Sequence, residues 1–329
     1  MTVRVAVVGC GSIARRAHLP GLRQAGADVV AFASRSRASA MAAAAEWGSG
    51  EVVDEWQDAV TRSDVDAVAV CTPNRLHAEI AVAAARAGKH VLVEKPMGCT
   101  VEECDRMMAA ASATGVVLVP AQNMRFVPPF VAVRDAVAAG RIGTATGFRA
   151  ALGHGGPESW GPASSWFRDA ESAGGGALLD LGVHVVDVVR SVLADDVVEV
   201  TAFLQPLRGT PGPGVEDEGM ALLRLRGGAV GSVHASWAIR SGRDYLLSVF
   251  GTEAALHLDT RTPPTLFTAA GEAEPLPVPD DAGDPYRAFV QAVTTGTPPP
   301  VTAADGRAAV AAVCAAYQSA ATGKAIALP

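Results

Sequence analysis

A glycine turn after an apolar strand, a strand end lacking an acid, a lysine before a proline and an aspartate one helical turn from a histidine carry this chain's chemistry. Gly9, Gly11 and Ala14, with Ser12 and Ile13 between them, form a G-x-G-x-x-A turn that precedes a helical stretch. Glycine permits the tight turn and lets a pyrophosphate approach the backbone. The helix that follows offers unpaired N–H groups and a partial positive charge. A glycine turn with no ligand is the bland alternative, but strand, turn, helix and chain position agree on a dinucleotide.

About 20 residues past such glycines an acid normally bonds the adenosine 2′-hydroxyl of NAD. Here the chain reads Ala33-Ser34-Arg35-Ser36-Arg37. Two guanidinium groups and two hydroxyls, with no carboxylate, welcome a 2′-phosphate, so NADP is expected in preference to NAD. The alternative is that Arg35 and Arg37 solvate the next helix. Three later strands end in polar segments: Cys71-Thr72-Pro73-Asn74 with His77 beyond, Glu94-Lys95-Pro96, and Ala121-Gln122-Asn123. In a doubly wound sheet the ligand lies past those ends. Pro96 keeps Lys95 extended and could fix its ammonium group over the sheet edge; a solvated lysine is the bland account.

Further along, Gly174-Gly175-Gly176 precede Ala177-Leu178-Leu179-Asp180-Leu181-Gly182-Val183-His184-Val185-Val186-Asp187. Asp180, His184 and Asp187 fall on one helical face of an otherwise apolar segment. That stripe either faces water or lines a site, and the three glycines, which admit another backbone or a ligand, favour the site.

The elements that must position these groups come in two textures. Over the first 120 residues, apolar strands at 3–8, 29–33, 67–71, 90–93 and 116–120 alternate with helices near 14–24, 36–47, 76–87 and 101–113. That pattern produces a parallel sheet covered on both faces. After Asn123, Val127-Pro128-Pro129 leads into a helix, and alternating segments at 221–225, 229–235 and 246–250 predict an antiparallel sheet with one covered face. The last helix spans 303–322, and a short apolar segment closes the chain at 325–329. The fold class is therefore α/β plus α+β, with a dinucleotide-binding domain over 1–122 and a substrate and oligomerisation domain over 123–329. Loops at 152–167 and 209–219 are expected to set specificity, and 209–214 and 297–300 read as surface loops.

Composition narrows the class. At 329 residues, two domains are the natural expectation, and 49% hydrophobic with 19% charged residues describes a globular chain. No apolar run is long enough for a membrane span, and the first residues run into the glycine turn unlike a secretory signal. The net charge of -7 contains no basic block, which argues against nucleic acid. Five cysteines, an odd number, point to reduced thiols and the cytoplasm. Cys99 and Cys104 lack a second ligand pair at zinc-site spacing, so no metal is expected. Small molecules remain as partners.

On these residues the sequence resembles the glucose-fructose oxidoreductase / inositol dehydrogenase family. The likeness covers nearly the whole chain: the turn from Gly9 to Ala14, Cys71 to Asn74 with His77, Glu94-Lys95-Pro96, Gln122-Asn123 with Arg125-Phe126, and the block from Gly174 to Asp187. It extends to Val215-Glu216-Asp217, Phe250-Gly251-Thr252-Glu253 and the closing Ala320-Ala321-Thr322-Gly323-Lys324. The resemblance implies a Rossmann domain followed by an α+β domain whose open sheet often mediates oligomers, here a homodimer or homotetramer. It also implies that Lys95, Asp180 and His184 line the substrate site. The missing acid after the second strand is a departure shared with members that use NADP.

The activity so implied is hydride transfer between a nicotinamide and the carbinol or carbonyl carbon of a sugar, inositol or related polyol. His184, with an ordinary pKa of ~6.5, is the expected acid/base, Lys95 would bond the reacting oxygen, and Asp180 would orient the site. Which of Lys95 and His184 moves the proton stays open at this point. Glu94 is expected at the nicotinamide ribose, Thr72, Asn74, His77 and Asn123 beside the cofactor, and Arg125, His154, Trp166 and Arg168 around the substrate. Two other readings compete: glycoside hydrolysis or elimination through transient oxidation with a tightly held nicotinamide, and a cofactor-binding regulator without catalysis.

Overall fold

The computed structural model describes residues 2–160, 162–206, 215–239, 244–259 and 262–329. The expected surface loop at 209–214 lies outside them. Two compact units form. The first takes in the described residues of Met1–Gln122 together with Glu171–Ala173 and Gly283–Arg307; the second takes in those of Asn123–Ala170, Gly174–Ala282 and Ala308–Pro329.

In the first unit β1 (Arg4–Val8), β2 (Asp28–Ala33), β3 (Glu51–Val53), β4 (Ala67–Val70), β5 (His90–Val93) and β6 (Leu118–Pro120) make a parallel sheet in the order β3-β2-β1-β4-β5-β6. All four residues of β4 are buried, as expected of a strand covered on both faces. The strand order reverses between β1 and β4, which creates the crevice used by ligands of doubly wound sheets. Register aligns the strand ends: Val8 pairs with Ala33 and Val70, Val70 with Val93, and Val93 with Pro120. Gly9, Ser34, Cys71, Glu94 and Ala121 therefore follow one another along a single edge. Two short elements escaped the sequence reading, β3 and the helix Trp56–Thr61. Each is too short to show a hydrophobic period.

The helix Pro285–Thr295 also belongs to this unit, capped by Asp284, whose carboxylate accepts the Arg287 N–H at 2.7 Å. Its Tyr286 and Phe289 join the core of Val5, Val7, Leu22, Phe32 and Leu92. Tyr286 packs so close to Gly21 that any Cβ there would overlap its ring.

The second unit is built on nine strands: β7 (Ala145–Gly153), β8 (Val197–Gln205), β9 (Glu218–Leu225), β10 (Val230–Ser236), β11 (Asp244–Gly251), β12 (Ala254–Asp259), β13 (Thr262–Thr268), β14 (Ala273–Pro275) and β15 (Ile326–Ala327). Their order is β14-β13-β12-β11-β7-β10-β9-β8-β15, antiparallel throughout except for β7 and β10. Along β9, Ala221, Leu223 and Leu225 point inward while Met220, Leu222 and Arg224 face out, the alternation of a sheet with one covered face. The helices Val183–Leu193 and Ala303–Thr322 belong to this unit in whole or main part, and the helix Pro128–Ala138 starts on the proline of the linker, where its missing N–H costs nothing. Among the described residues no helix is long and apolar enough to cross a membrane.

Candidate active site

The first unit gathers the nucleotide-type residues at one sheet edge. Gly9 has φ +94° and donates its N–H to the Ala33 carbonyl at 2.8 Å, and a Cβ on it would lie 2.5 Å from the Cys71 carbonyl oxygen. Glycine is thus required where the ends of β1, β2 and β4 converge. A Cβ on Gly11, by contrast, would meet nothing within 4 Å, so the cradle above the turn is open. Ser12 and Ile13 are exposed beside it, and a π-helical turn, Ala14–His18, begins immediately after.

At the end of β2, Ser36 caps the helix Arg37–Trp47 by accepting the Ser39 N–H at 3.3 Å, and Arg37 is salt-bridged to Asp54. Ser34 is half-buried and Arg35 exposed. Past β4, the Thr72 hydroxyl is buried without a hydrogen-bond partner among the described residues, and so are both polar atoms of the Gln122 amide after β6. Buried polar groups are normally satisfied, so orphans at the ligand edge of such a sheet fit a bound polar molecule. Asn74 donates to the Ala173 carbonyl at 2.8 Å, and His77 lies between the Pro96 and Thr72 carbonyls at 2.8 and 2.9 Å. Burial pushes the His77 pKa down, against the pull of these two carbonyls, each of which faces a different ring nitrogen.

Glu94 is held on both sides: one oxygen lies 2.7 Å from His18 Nε2, and the other accepts the Lys95 backbone N–H at 2.9 Å. His18 is fully buried with the Tyr286 ring edge-on at 5.3 Å. Burial opposes the charge on His18, but the Cys71 sulfur and the Glu94 carboxylate outweigh it and lift its pKa to about 10. Glu94 is desolvated too, yet His18 draws its carboxyl down to about 2. Lys95 is half-buried. Neither His18 nor Tyr286 was singled out in the sequence; the place of His18 in the helix after the glycine turn was the one available signal.

In the second unit the polar stripe does not face water. Asp180, His184 and Asp187 are 3%, 8% and 0% exposed. Asp180 sits in a π-helical turn, Leu178–Gly182, that runs into the helix Val183–Leu193. Its Oδ2 accepts the Trp237 indole N–H at 3.0 Å and lies 3.9 Å from His154 Nε2. His154 Nδ1 accepts the Gly156 N–H at 3.0 Å, which leaves Nε2 as the protonated nitrogen of a neutral ring. Rings surround this group: Trp160 is 5.0 Å from His154 and 5.2 Å from Phe167, which stacks on Trp166 at 3.8 Å and meets Trp237 edge-on at 6.1 Å.

Arg125 donates to both oxygens of Asp187 at 2.7 Å, a bidentate buried pair. Arg168 donates to Asp217 at 2.5 Å and to Glu158 at 2.6 Å, with its guanidinium 4.9 Å over the Trp237 ring. Both arginines expected around the substrate are thus engaged by carboxylates of their own unit. Asn123 is exposed at the start of the 3-10 turn Asn123–Phe126. Trp237 and Asp217 are contributors that sequence reasoning missed as such: a tryptophan just past a strand end and an acid quoted only as part of a motif gave no sign of their partners.

A doubly wound sheet with an open glycine cradle, and a second unit carrying a buried acid–histidine helix under aromatic rings, define a dinucleotide-dependent oxidoreductase. Comparison with known proteins agrees. Residues 3–122 match the family model described as oxidoreductase family, NAD-binding Rossmann fold, and residues 130–257 match the GFO/IDH/MocA C-terminal domain. The chain belongs to the Gfo/Idh/MocA family of oxidoreductases. It is 35% identical to 1,5-anhydro-D-fructose reductase of Ensifer adhaerens over 98% of this chain and 97% of that one. Inositol 2-dehydrogenase 2 of Saccharopolyspora erythraea is 31% identical over 98% of this chain and 94% of its own. A solved structure of levoglucosan dehydrogenase in complex with NADH superposes with a TM-score of 0.89 at 27% identity, covering 100% of both chains.

Proposed function

We propose that the protein transfers a hydride between a nicotinamide dinucleotide and the carbinol or carbonyl carbon of a sugar, inositol or related polyol. The observation that carries this reading is Asp180: a buried carboxylate fixed by Trp237, beside His154, on the helix segment that also bears His184. An acid and an imidazole so held suit proton exchange at a hydroxyl, and apolar ring faces suit the C–H face of a sugar while excluding water. Relatives named for anhydrofructose, levoglucosan and inositol support the substrate class.

The cofactor would be held by the Gly9–Gly11 cradle with Ser12 and Ile13, by Thr72 and its neighbours Cys71 and Pro73, and by Asn74, His77, Glu94 and Asn123; the orphaned Thr72 hydroxyl and the open space at Gly11 fit such a ligand. When bound, it supplies the ring that accepts or returns the hydride. Lys95 bonds the reacting oxygen and stabilises its developing charge, His184 exchanges the proton, and Asp180 orients the substrate hydroxyl. His154 and Trp166 border the sugar, and Arg125 and Arg168 brace the wall through Asp187 and Asp217. NADP is the preferred form: Ser34 and the exposed Arg35 remain to meet a 2′-phosphate, while Ser36 and Arg37 are engaged in capping and in a salt bridge. We place the enzyme in the cytoplasm as a homodimer or homotetramer.

The test is a panel of inositols, aldoses and keto-sugars with NAD and NADP in both directions, followed by nicotinamide absorbance. Lys95→Ala and His184→Ala should bind cofactor as the parent does and lose about 10²–10⁴ in turnover. Full activity in both variants would overturn the assignment of roles.

A further inference from the structure

Glu216 is 5% exposed and lies just before β9, on a segment remote in sequence from the helix that bears Asp180. One of its carboxylate oxygens accepts the Gly176 N–H at 3.0 Å, and the other accepts the Leu178 N–H at 2.7 Å. Its own backbone carbonyl accepts the Ala177 N–H at 2.9 Å. Three consecutive N–H groups that a helix start leaves without internal partners are thus all taken by one residue. Tyr317, from the helix Ala303–Thr322, closes the cluster: its hydroxyl donates to the carboxylate at 3.0 Å and accepts from Gly176 N–H at 3.1 Å. A Cβ on Gly176 would overlap the Glu216 backbone, and one on Gly175 would overlap the Tyr317 hydroxyl. The glycines before the Asp180 helix therefore admit another part of the chain, Glu216 and Tyr317.

We propose that Glu216 is a positioning residue for catalysis: by gripping Gly176, Ala177 and Leu178 it sets where the following turn presents Asp180 and His184, without touching the substrate. The inference rests on the reading of Asp180 and His184 as reacting-site groups. Asp180 N–H bonds the Gly176 carbonyl at 3.0 Å, so the gripped residues and the acid share one turn of backbone. A carboxylate suits this place because both its oxygens accept and its charge complements the helix N-terminus. An amide would turn an NH₂ group toward one of the N–H donors. Burial pushes the Glu216 carboxyl up to about 7 even against the pull of those N–H groups and the tyrosine hydroxyl, so its charge is costly to keep there.

Glu216→Gln, Glu216→Asp and Tyr317→Phe, made in the full chain, test this by three readouts. Deuterium uptake of peptides covering 174–187 reads the grip directly. Turnover with separate KM values for sugar and nucleotide reads its consequence, and nucleotide affinity with the melting temperature reads general damage. Glu216→Gln should raise uptake in that segment and lower kcat about 10- to 100-fold, since a misplacement near 1 Å can cost about 10². Nucleotide affinity should not change. Glu216→Asp, which keeps the charge, should recover part of kcat, and Tyr317→Phe should lose less than Glu216→Gln. Parental uptake and kcat in Glu216→Gln would overturn the proposal, and so would a kcat loss matched by equal losses in melting temperature and nucleotide affinity. Uptake is measurable whether or not a sugar is turned over, so failure of the grip and failure of the sugar-oxidoreductase reading are told apart.

Discussion

His18 and Glu94 form an ion pair that water hardly reaches, and removing one partner of such a pair strands the other. His18→Ala should therefore destabilise the protein by about 3–5 kcal/mol in urea unfolding, whereas His18→Gln, which can still donate to Glu94, should cost less. The pair also sets a pH window. Glu94 is held below its ordinary 4.5, at about 2, so its contribution is complete above 4.5 and fades as pH falls from there. His18 is raised from 6.5 to about 10, so its contribution is complete below 6.5 and fades as pH rises. The melting temperature should peak between these limits and decline on both sides, and His18→Ala should flatten the alkaline side; an identical profile in the variant would rule the pair out as the cause. At the end of β2, Ser34→Asp places a carboxylate where a 2′-phosphate is proposed to lie. The ratio of kcat/KM for NADP over NAD should fall at least about tenfold, or ~1.4 kcal/mol. An unchanged ratio would mean that this strand end does not select the coenzyme.

At the scale of elements, both motif helices open with a π-helical turn, Ala14–His18 after the glycine cradle and Leu178–Gly182 around Asp180. Such turns are rare and concentrate at functional sites. The helix Pro285–Thr295 shows how tightly elements constrain single residues: Tyr286 lies on Gly21. Gly21→Ala should push this helix outward and cost about 1–3 kcal/mol by overpacking, read as faster proteolysis within 283–307 and a lower melting temperature. Parental protease resistance would show that the contact yields without strain.

For the molecule as a whole, the outer face of the second sheet carries Phe203, Met220 and Leu222, which are 79%, 50% and 54% exposed. These lie on the neighbouring strands β8 and β9, where register sets Phe203 opposite Met220. An apolar patch of this kind seeks a partner, which fits the homo-oligomer proposed above. Phe203→Glu with Leu222→Glu should lower the mass of the proposed oligomer in light scattering. A parental mass in that double variant would move the interface elsewhere.

Most strands and helices of the first 120 residues, though not β3 or the helix Trp56–Thr61, were legible in the sequence, as were the glycine cradle and the three alternating segments that became β9, β10 and β11, because backbone period and glycine placement are local properties. The place of Asp180 and His184 on one buried helical segment was legible too, since they stand four residues apart. Tertiary structure alone decided the partners. Arg125 finds Asp187 across 62 residues and Arg168 finds Asp217 across 49, and no local pattern encodes which distant carboxylate neutralises which guanidinium. The same holds for Gly175 and Gly176, whose run with Gly174 announced a close approach but not that Tyr317 and Glu216 would make it. Periodicity records which face of an element is buried; what it is buried against depends on packing the whole chain.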